Sequence, residues 1–499
     1  MKNKISLLVL LVVVLVAAFS FAAYRGVRAS GPVKSTVATS KVAPVSVPTT
    51  PAPAPAAAVN TPPVAPPGTT LHQIVKGDTL PKIVHQYLDQ TSYMTKGELD
   101  AAIHQQNPNL AAITVKGVLK PGEYLIIPGY DPNPTAAAIP VTKDFEVRAI
   151  YMTGAMAGGE HGLSIIQRWR AAGGNAVVFD IKDSDGSVSI HFDNPLAPHQ
   201  KYTPIHNLPK FLRYLHQQNL HAIARIAIFR DENIANNHTE LTIHSAKTGE
   251  AGWRENGKLV WTDPSNPQVE NYNIALAKYV AEAGADEIQF DYVRFPAEGD
   301  QKDARFYYQK EHPDWQRSDV IANFLDKAYS QIHPTGALLS LDVFGVMAWQ
   351  RSVDLSHTGQ DIVRMAKFCD VLSPMIYPSH FFGMDGYTMP GDAPEHFISE
   401  SMARFGKITA GSGVVLRPWL QAFGWKTKTY SPEYIEVQVK AAKQNGGVGF
   451  LFWNARNDYA KPYVAMPEMR ASKANYFRGD ELTDAKSTKP LQMPTQIAQ

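Results

Sequence analysis

The sequence predicts an α/β protein: a (β/α)8 barrel of the TIM type, preceded by a small βααβ domain. Three observations predict it. Between residue 145 and about 464, eight apolar segments rich in β-branched and aromatic residues alternate with helical stretches. That alternation builds parallel sheets. The run exceeds 300 residues, enough for eight strand–helix units with long loops. Polar groups also gather where several segments end, and parallel barrels carry their chemistry at those ends. A doubly wound nucleotide fold is the competitor, but the first segment ends in Gly154-Ala-Met-Ala-Gly158-Gly159 with no Lys-Ser/Thr after it. A phosphate-binding loop is therefore not expected.

The elements follow in order. Lys2 and Lys4 precede an uncharged, mostly apolar run from Ile5 to Ala23, so residues 1–29 read as a retained signal anchor or a cleaved signal peptide. Either places the bulk of the chain outside the cytoplasm, on the membrane through that helix or secreted to the envelope. Residues 30–69 are rich in Pro, Ala, Val and Thr and read as a spacer. Residues 70–130 read as strand, helix, helix, strand, with Gly77-Asp78-Thr79 as a turn and helix start and Asn107-Pro108-Asn109 as a helix stop. The barrel occupies 145–465, with strands expected at 147–154, 175–182, 222–229, 287–295, 338–345, 371–377, 414–423 and 447–454. Ile321, Phe324, Leu325, Ala328 and Ile332 mark one face of an intervening helix. Residues 466–499 are polar, lack periodicity and are expected to form a flexible tail.

Composition narrows the function. A net charge of +2 gives no support to nucleic-acid binding. Cys369 is the only cysteine, so neither an intrachain disulfide nor a cysteine zinc site is expected. No His pair has metal-ligand spacing, and no metal or other cofactor is expected.

The chemistry is expected at the strand ends. The most informative stretch is 285–296, Ala-Asp-Glu-Ile-Gln-Phe-Asp-Tyr-Val-Arg-Phe-Pro, a buried strand carrying Asp291 near its end and Arg294 just beyond. A carboxylate is costly to bury without a partner or a purpose. The second strand offers Asp180 and Lys182, which the two-residue period puts on one face. The fifth offers Asp342, the sixth ends at Tyr377, the seventh carries Gln421, and the eighth ends at Trp453 and Asn454. Arg225, in mid-strand, reads as an interior partner for a carboxylate. Asp291 and Asp342, on adjacent strands, suit the two carboxyl groups that glycoside hydrolysis needs. Asp180, Lys182, Arg294, Tyr377, Gln421, Trp453 and Asn454 are the candidates for holding sugar, since aromatic rings stack on pyranose faces. Two other readings stand beside this one: a non-catalytic glycan-binding or scaffold barrel, because fold does not establish activity, and a metal-dependent carbohydrate deacetylase, for which no His/Asp cluster is found.

Two resemblances sharpen the reading. Val75-Lys-Gly-Asp-Thr-Leu80, Asn107-Pro-Asn-Leu110, and Leu119-Lys-Pro-Gly122 through Ile127-Pro128 resemble a LysM domain. That implies binding of N-acetylglucosamine-containing glycans such as peptidoglycan or chitin. Pro81 departs from the pattern, standing where an aromatic is common. Phe179-Asp-Ile-Lys-Asp183, 290–296, Ser373-Pro-Met-Ile-Tyr-Pro378 and Gly449-Phe-Leu-Phe-Trp-Asn454 resemble a glycoside hydrolase family long filed as a domain of unknown function, distantly similar to the alpha-amylase superfamily. The resemblance implies that Asp291 is the nucleophile. It puts Asp342 where the general acid is usually Glu, and it finds no match for the third amylase carboxylate, where this chain has Gln421.

Overall fold

A computed structural model describes residues 64–111, 114–115, 118–133, 142–472 and 476–477. The apolar run expected as anchor or signal, most of the spacer and the end of the tail lie outside the described residues. Among the described residues no helix is long and apolar enough to cross a membrane.

All eight expected segments form strands: β1 (Val147–Met152), β2 (Ala176–Lys182), β3 (His221–Ala227), β4 (Glu287–Asp291), β5 (Leu338–Phe344), β6 (Val371–Ile376), β7 in two pieces (Val415–Leu416 and Trp419–Gln421) and β8 (Gly449–Trp453). Each pairs in parallel with its neighbours in chain order, and β8 pairs with β1, closing the barrel. At that closure Gly449, at φ +87°, lies so near Val147 that a Cβ would stand 2.1 Å from the Val147 carbonyl oxygen. Only glycine fits there. Helices cover the outside, among them Glu160–Ala172, Leu208–Gln217, Pro267–Glu282, Arg317–Ile332, Pro394–Ile408 and Pro432–Gln444. Phe179 meets Phe211 and Phe290 meets Phe324 in the apolar layer between sheet and helices. Each such ring contributes about 1.5–3 kcal/mol through burial.

Two expectations about boundaries need correction. β4 stops at Asp291, four residues earlier than expected, because Tyr292 takes a left-handed conformation at φ +53° that breaks the strand. The tail does not begin at 466: the helix Ala460–Ala471 runs through that point with Met466 and Met469 buried, and Phe477 packs under the Arg148 guanidinium.

The break in β7 falls at Pro418, which has no N–H to give to a ladder. Arg417 beside it turns into the lower barrel, where its Nη1 lies 2.7 Å from Glu287 Oε2, which also meets His221 Nε2 at 3.0 Å. Burial alone would raise Glu287, but Arg417 and then His221 hold it down to about 2. A depressed acid adds stability above its ordinary pKa of 4.5 and loses it as pH falls toward 2. Arg417→Gln should therefore melt lower than the parent at neutral pH, and the gap should narrow between pH 4.5 and 2 in melting curves.

The N-terminal unit has its own core of Ile74, Ile83, Val84, Leu99, Ile103, Leu110, Leu119, Leu125 and Ile127. Strand Thr69–Gln73 pairs antiparallel with Tyr124–Pro128, and helices Leu80–Tyr87 and Lys96–Gln106 lie between them in sequence. Asn107 joins the second helix to the sheet: its Nδ2 donates to the carbonyls of Ile103 and Ile126, and its Oδ1 accepts from the Ile126 amide. Asp78 fixes the turn by accepting from the Val75 amide and from His72.

Candidate active site

Strand period places 223 and 225, 289 and 291, and 340 and 342 inside the barrel. At the C-terminal end the interior layer is polar, and Arg225 stands at its centre. Its Nη1 donates to Asp180 Oδ1 at 2.5 Å and its Nη2 to Asp291 Oδ2 at 2.6 Å, while its Nε faces Asp342 Oδ2 at 3.9 Å. One guanidinium thus faces three aspartates. Arg225 makes the carboxylate contacts expected of an interior arginine.

The three acids differ in surroundings. Asp291 ends β4, and its other oxygen accepts from the Tyr292 amide at 2.6 Å. The Asp291 side chain is 11% exposed, against 2% for Asp180 and 1% for Asp342, so it alone of the three reaches toward the open mouth. Asp342 Oδ1 accepts from Trp419 Nε1 at 2.7 Å, and its Oδ2 is buried without a hydrogen bond. Burial first, and Asp291 second, push Asp342 well above the usual carboxylate range and favour its protonated form. Asp180 accepts from the Tyr151 hydroxyl at 2.5 Å, and burial pushes it up to about 7 against the pull of Arg225.

Asp180 links the stability of the fold to pH. Between its ordinary 3.8 and about 7 the folded protein holds a proton that the unfolded chain releases, so this term favours folding at low pH and fades as pH rises to 7. Asp180→Asn should remove it. The stability of the parent relative to that variant should fall from pH 4 to pH 7 and then level off, read from paired denaturation curves.

Aromatic rings line the mouth. Trp453 is half-buried and stacks on Tyr151 at 4.0 Å between centroids, with the Arg225 guanidinium 5.4 Å from its ring. Tyr377, 9% exposed, meets Phe423 edge to face, and burial first, then the neighbouring acids Asp342 and Asp291, push its hydroxyl well above the usual range. Beyond them stand His380, Phe382 and Trp425, with Lys426 over the last two rings.

Five expected sugar ligands have other partners, Asp180 with Arg225 and Tyr151 being the first. A register shift between Asp180 and Lys182 breaks the two-residue period. Lys182 turns out of the lumen and is fully buried, donating to Asp231 at 2.8 Å with its ammonium over the Tyr272 ring. Gln421 is also fully buried, accepting from the Ser379 amide and donating to the Phe423 carbonyl. Asn454 donates to the Ala422 carbonyl and accepts from the Arg456 amide. These three hold loops and strands in place. Arg294 is 5% exposed and sits among the rings of Trp261, Tyr292 and Phe344. Its Nη1 donates to the Phe295 carbonyl. Asp291 takes its close guanidinium from Arg225 instead. Among the described residues no three His, Cys, Asp or Glu side chains are grouped to hold a metal ion.

Sequence reasoning missed Tyr151, Phe423 and Trp425. Tyr151 was legible in principle, two positions from Ala149 on the inward face of β1. Trp425 sits in a loop, where no period points inward.

Residues 149–459 match the family described as "Putative glycosyl hydrolase domain". The chain belongs to that family. Its barrel is a glycosyl hydrolase domain, and the match runs from within β1 past the end of β8. Several solved structures are also similar. A hypothetical protein from Ruminiclostridium thermocellum is 33% identical over 39% of this chain and 97% of its own, with a TM-score of 0.34. The PgaB (BpsB) glycoside hydrolase domain from Bordetella bronchiseptica is 14% identical over 65% and 97%, with a TM-score of 0.46. The spore cortex-lytic enzyme SleL from Bacillus megaterium is 13% identical over 79% and 85%, with a TM-score of 0.39. No curated protein sequence matches the chain.

Proposed function

We propose that this glycosyl hydrolase domain cuts a polysaccharide of the cell envelope at the C-terminal mouth of its barrel, with Asp291 as nucleophile or base. The observation that carries this reading is the electrostatic layout around Arg225. Burial favours the protonated form of Asp342 and raises Asp180 to about 7, while Asp291 is the acid that both accepts from the Arg225 guanidinium and reaches the mouth. Trp419 donates to Asp342 from the mouth side of the layer. Trp453, Tyr377 and the outer rings supply apolar faces for pyranose rings. The N-terminal unit acts in this reading as a LysM-type module that holds N-acetylglucosamine-containing glycan near the barrel. The apolar run at 5–23 keeps the protein outside the cytoplasm, at the membrane or secreted into the envelope.

A second reading, a barrel that binds glycan without cutting it, is favoured by one observation. Asp342 is sealed beneath Trp419 and cannot serve as the second carboxyl without movement. The test is to incubate the protein lacking residues 1–29 with peptidoglycan, chitin oligomers and secreted polysaccharides, beside an Asp291→Asn variant. Reducing ends released by the parent alone support hydrolysis at Asp291. Equal release by both removes Asp291 from the mechanism, and binding without release by either supports the second reading.

A further inference from the structure

The rim beside β6 and β7 carries polar groups with no use inside the protein. His380 follows the end of β6, and its half-buried ring stands 5.4 Å from Tyr377, 6.0 Å from Phe423 and 5.2 Å from Trp425 between centroids. Tyr377 belongs to the barrel-interior cluster with Tyr151 and Trp419, and Phe423 and Trp453 pack against that cluster. Trp453 lies 5.4 Å from the Arg225 guanidinium, which holds Asp291 at 2.6 Å. Packing contacts therefore join Asp291 to Trp425. The ledge is fixed in place. The buried Ser379 bonds His380 Nδ1 through its hydroxyl at 3.1 Å, and its amide donates to Gln421 at 3.1 Å. Asp392 braces the loop that carries Trp425 and Lys426, accepting from the Thr427 hydroxyl at 2.9 Å and the Lys428 amide at 2.7 Å. Lys426 itself is left-handed at φ +50°, and a Cβ on Gly391 would stand 2.1 Å from its carbonyl oxygen. Only its surroundings hold a lysine in that region.

Three groups on this ledge have no hydrogen-bond or ion-pair partner among the described residues, and none is sealed from water: the Tyr377 hydroxyl, His380 Nε2 and the Lys426 ammonium. The ammonium lies 3.7 Å from the Phe382 centroid and 4.5 Å from that of Trp425. Burial first and the Lys426 charge second bring His380 down to about 4, so at pH 7 its ring is neutral, with one donor and one acceptor. That set suits one kind of sugar. Ring faces take the apolar side of a pyranose, a neutral imidazole and a phenol take hydroxyls, and a cation without an acid of its own takes a carboxylate. We propose that Tyr377, His380, Trp425 and Lys426 form a subsite for a carboxylate-bearing sugar residue beside the cleaved bond, which makes the glycan an acidic one. The link to cleavage rests on the hydrolytic reading above; the charge preference is a binding property and is measured without turnover.

The intact chain carrying Asp291→Asn should be titrated with hyaluronan oligomers, polygalacturonate oligomers and peptidoglycan strands freed of peptide, each beside its carboxyl-reduced form. At least one acidic probe should bind about tenfold or more tighter than its reduced form, and the imidazole resonances of His380 should shift as it binds. Adding Lys426→Gln should erase that preference and leave binding of the reduced form nearly unchanged. Lys426→Arg should keep the preference, and His380→Ala should weaken both forms. Melting curves confirm that each variant is folded, and the comparison of acidic with reduced probes needs no variant at all. Equal binding of every acidic probe and its reduced form, no binding of any probe, or an intact preference in a folded Lys426→Gln protein would each overturn the proposal. A charge preference beside equal glycan cleavage by the parent and Asp291→Asn overturns the hydrolytic reading alone. Asp291-dependent cleavage with no charge preference overturns only this inference.

Discussion

An Asp291→Asn protein should bind its glycan and fail to cut it, with turnover down by about 10²–10⁴-fold or more. The amide has the shape of the carboxylate but neither its nucleophilicity nor its basicity. The fold should survive with a small loss. Asp291 accepts from Arg225 at one oxygen and from the Tyr292 amide at the other, and the amide has only one oxygen to offer. One donor is left facing an NH2 group, which costs about 1–3 kcal/mol. A binding isotherm, a reducing-end assay and a melting curve on one preparation separate these effects. Turnover within a few-fold of the parent would take Asp291 out of the chemistry. A collapsed fold would instead show that its two hydrogen bonds matter mainly for structure.

The second large effect belongs to Arg225. Arg225→Met should destabilise the protein by about 3–5 kcal/mol at neutral pH, the usual cost of breaking a buried ion pair from one side. The methionine fills much of the space but leaves Asp180 and Asp291 without their donor. Loss of the positive charge pushes the buried acids further up, so the variant should regain part of its stability as pH is lowered and they become neutral. Adding Asp180→Asn to Arg225→Met should recover part of the loss at pH 7. Chemical denaturation of the single and double variants at pH 5 and pH 7 checks both statements. A loss below about 1 kcal/mol would mean that water reaches and solvates the layer.

The fold was legible because strand and helix periods are strong signals over a long run, and every one of the eight expected strands is present. The limits were less legible. The end of β4 depends on a left-handed Tyr292, which its side chain does not announce. The break in β7 could have been read from Pro418. The inward positions of Asp180, Arg225, Asp291 and Asp342 follow from the two-residue period alone. Lys182 was misplaced because that period fails at a bulge, where one extra residue turns the next side chain to the other face. Gln421 and Asn454 sit near the mouth as expected, but neighbouring backbone groups occupy their amides, and sequence does not record where a loop's backbone groups point.

The single guanidinium shared by several acids has a consequence for how this enzyme can change over evolutionary time. A substitution at 180, 225, 291 or 342 resets the electrostatic background of the other three. Its effect therefore depends on what already occupies them. Drift at these positions should be strongly epistatic, with permitted replacements arriving as matched sets. Libraries that randomise one of the four at a time will underestimate how many functional combinations exist.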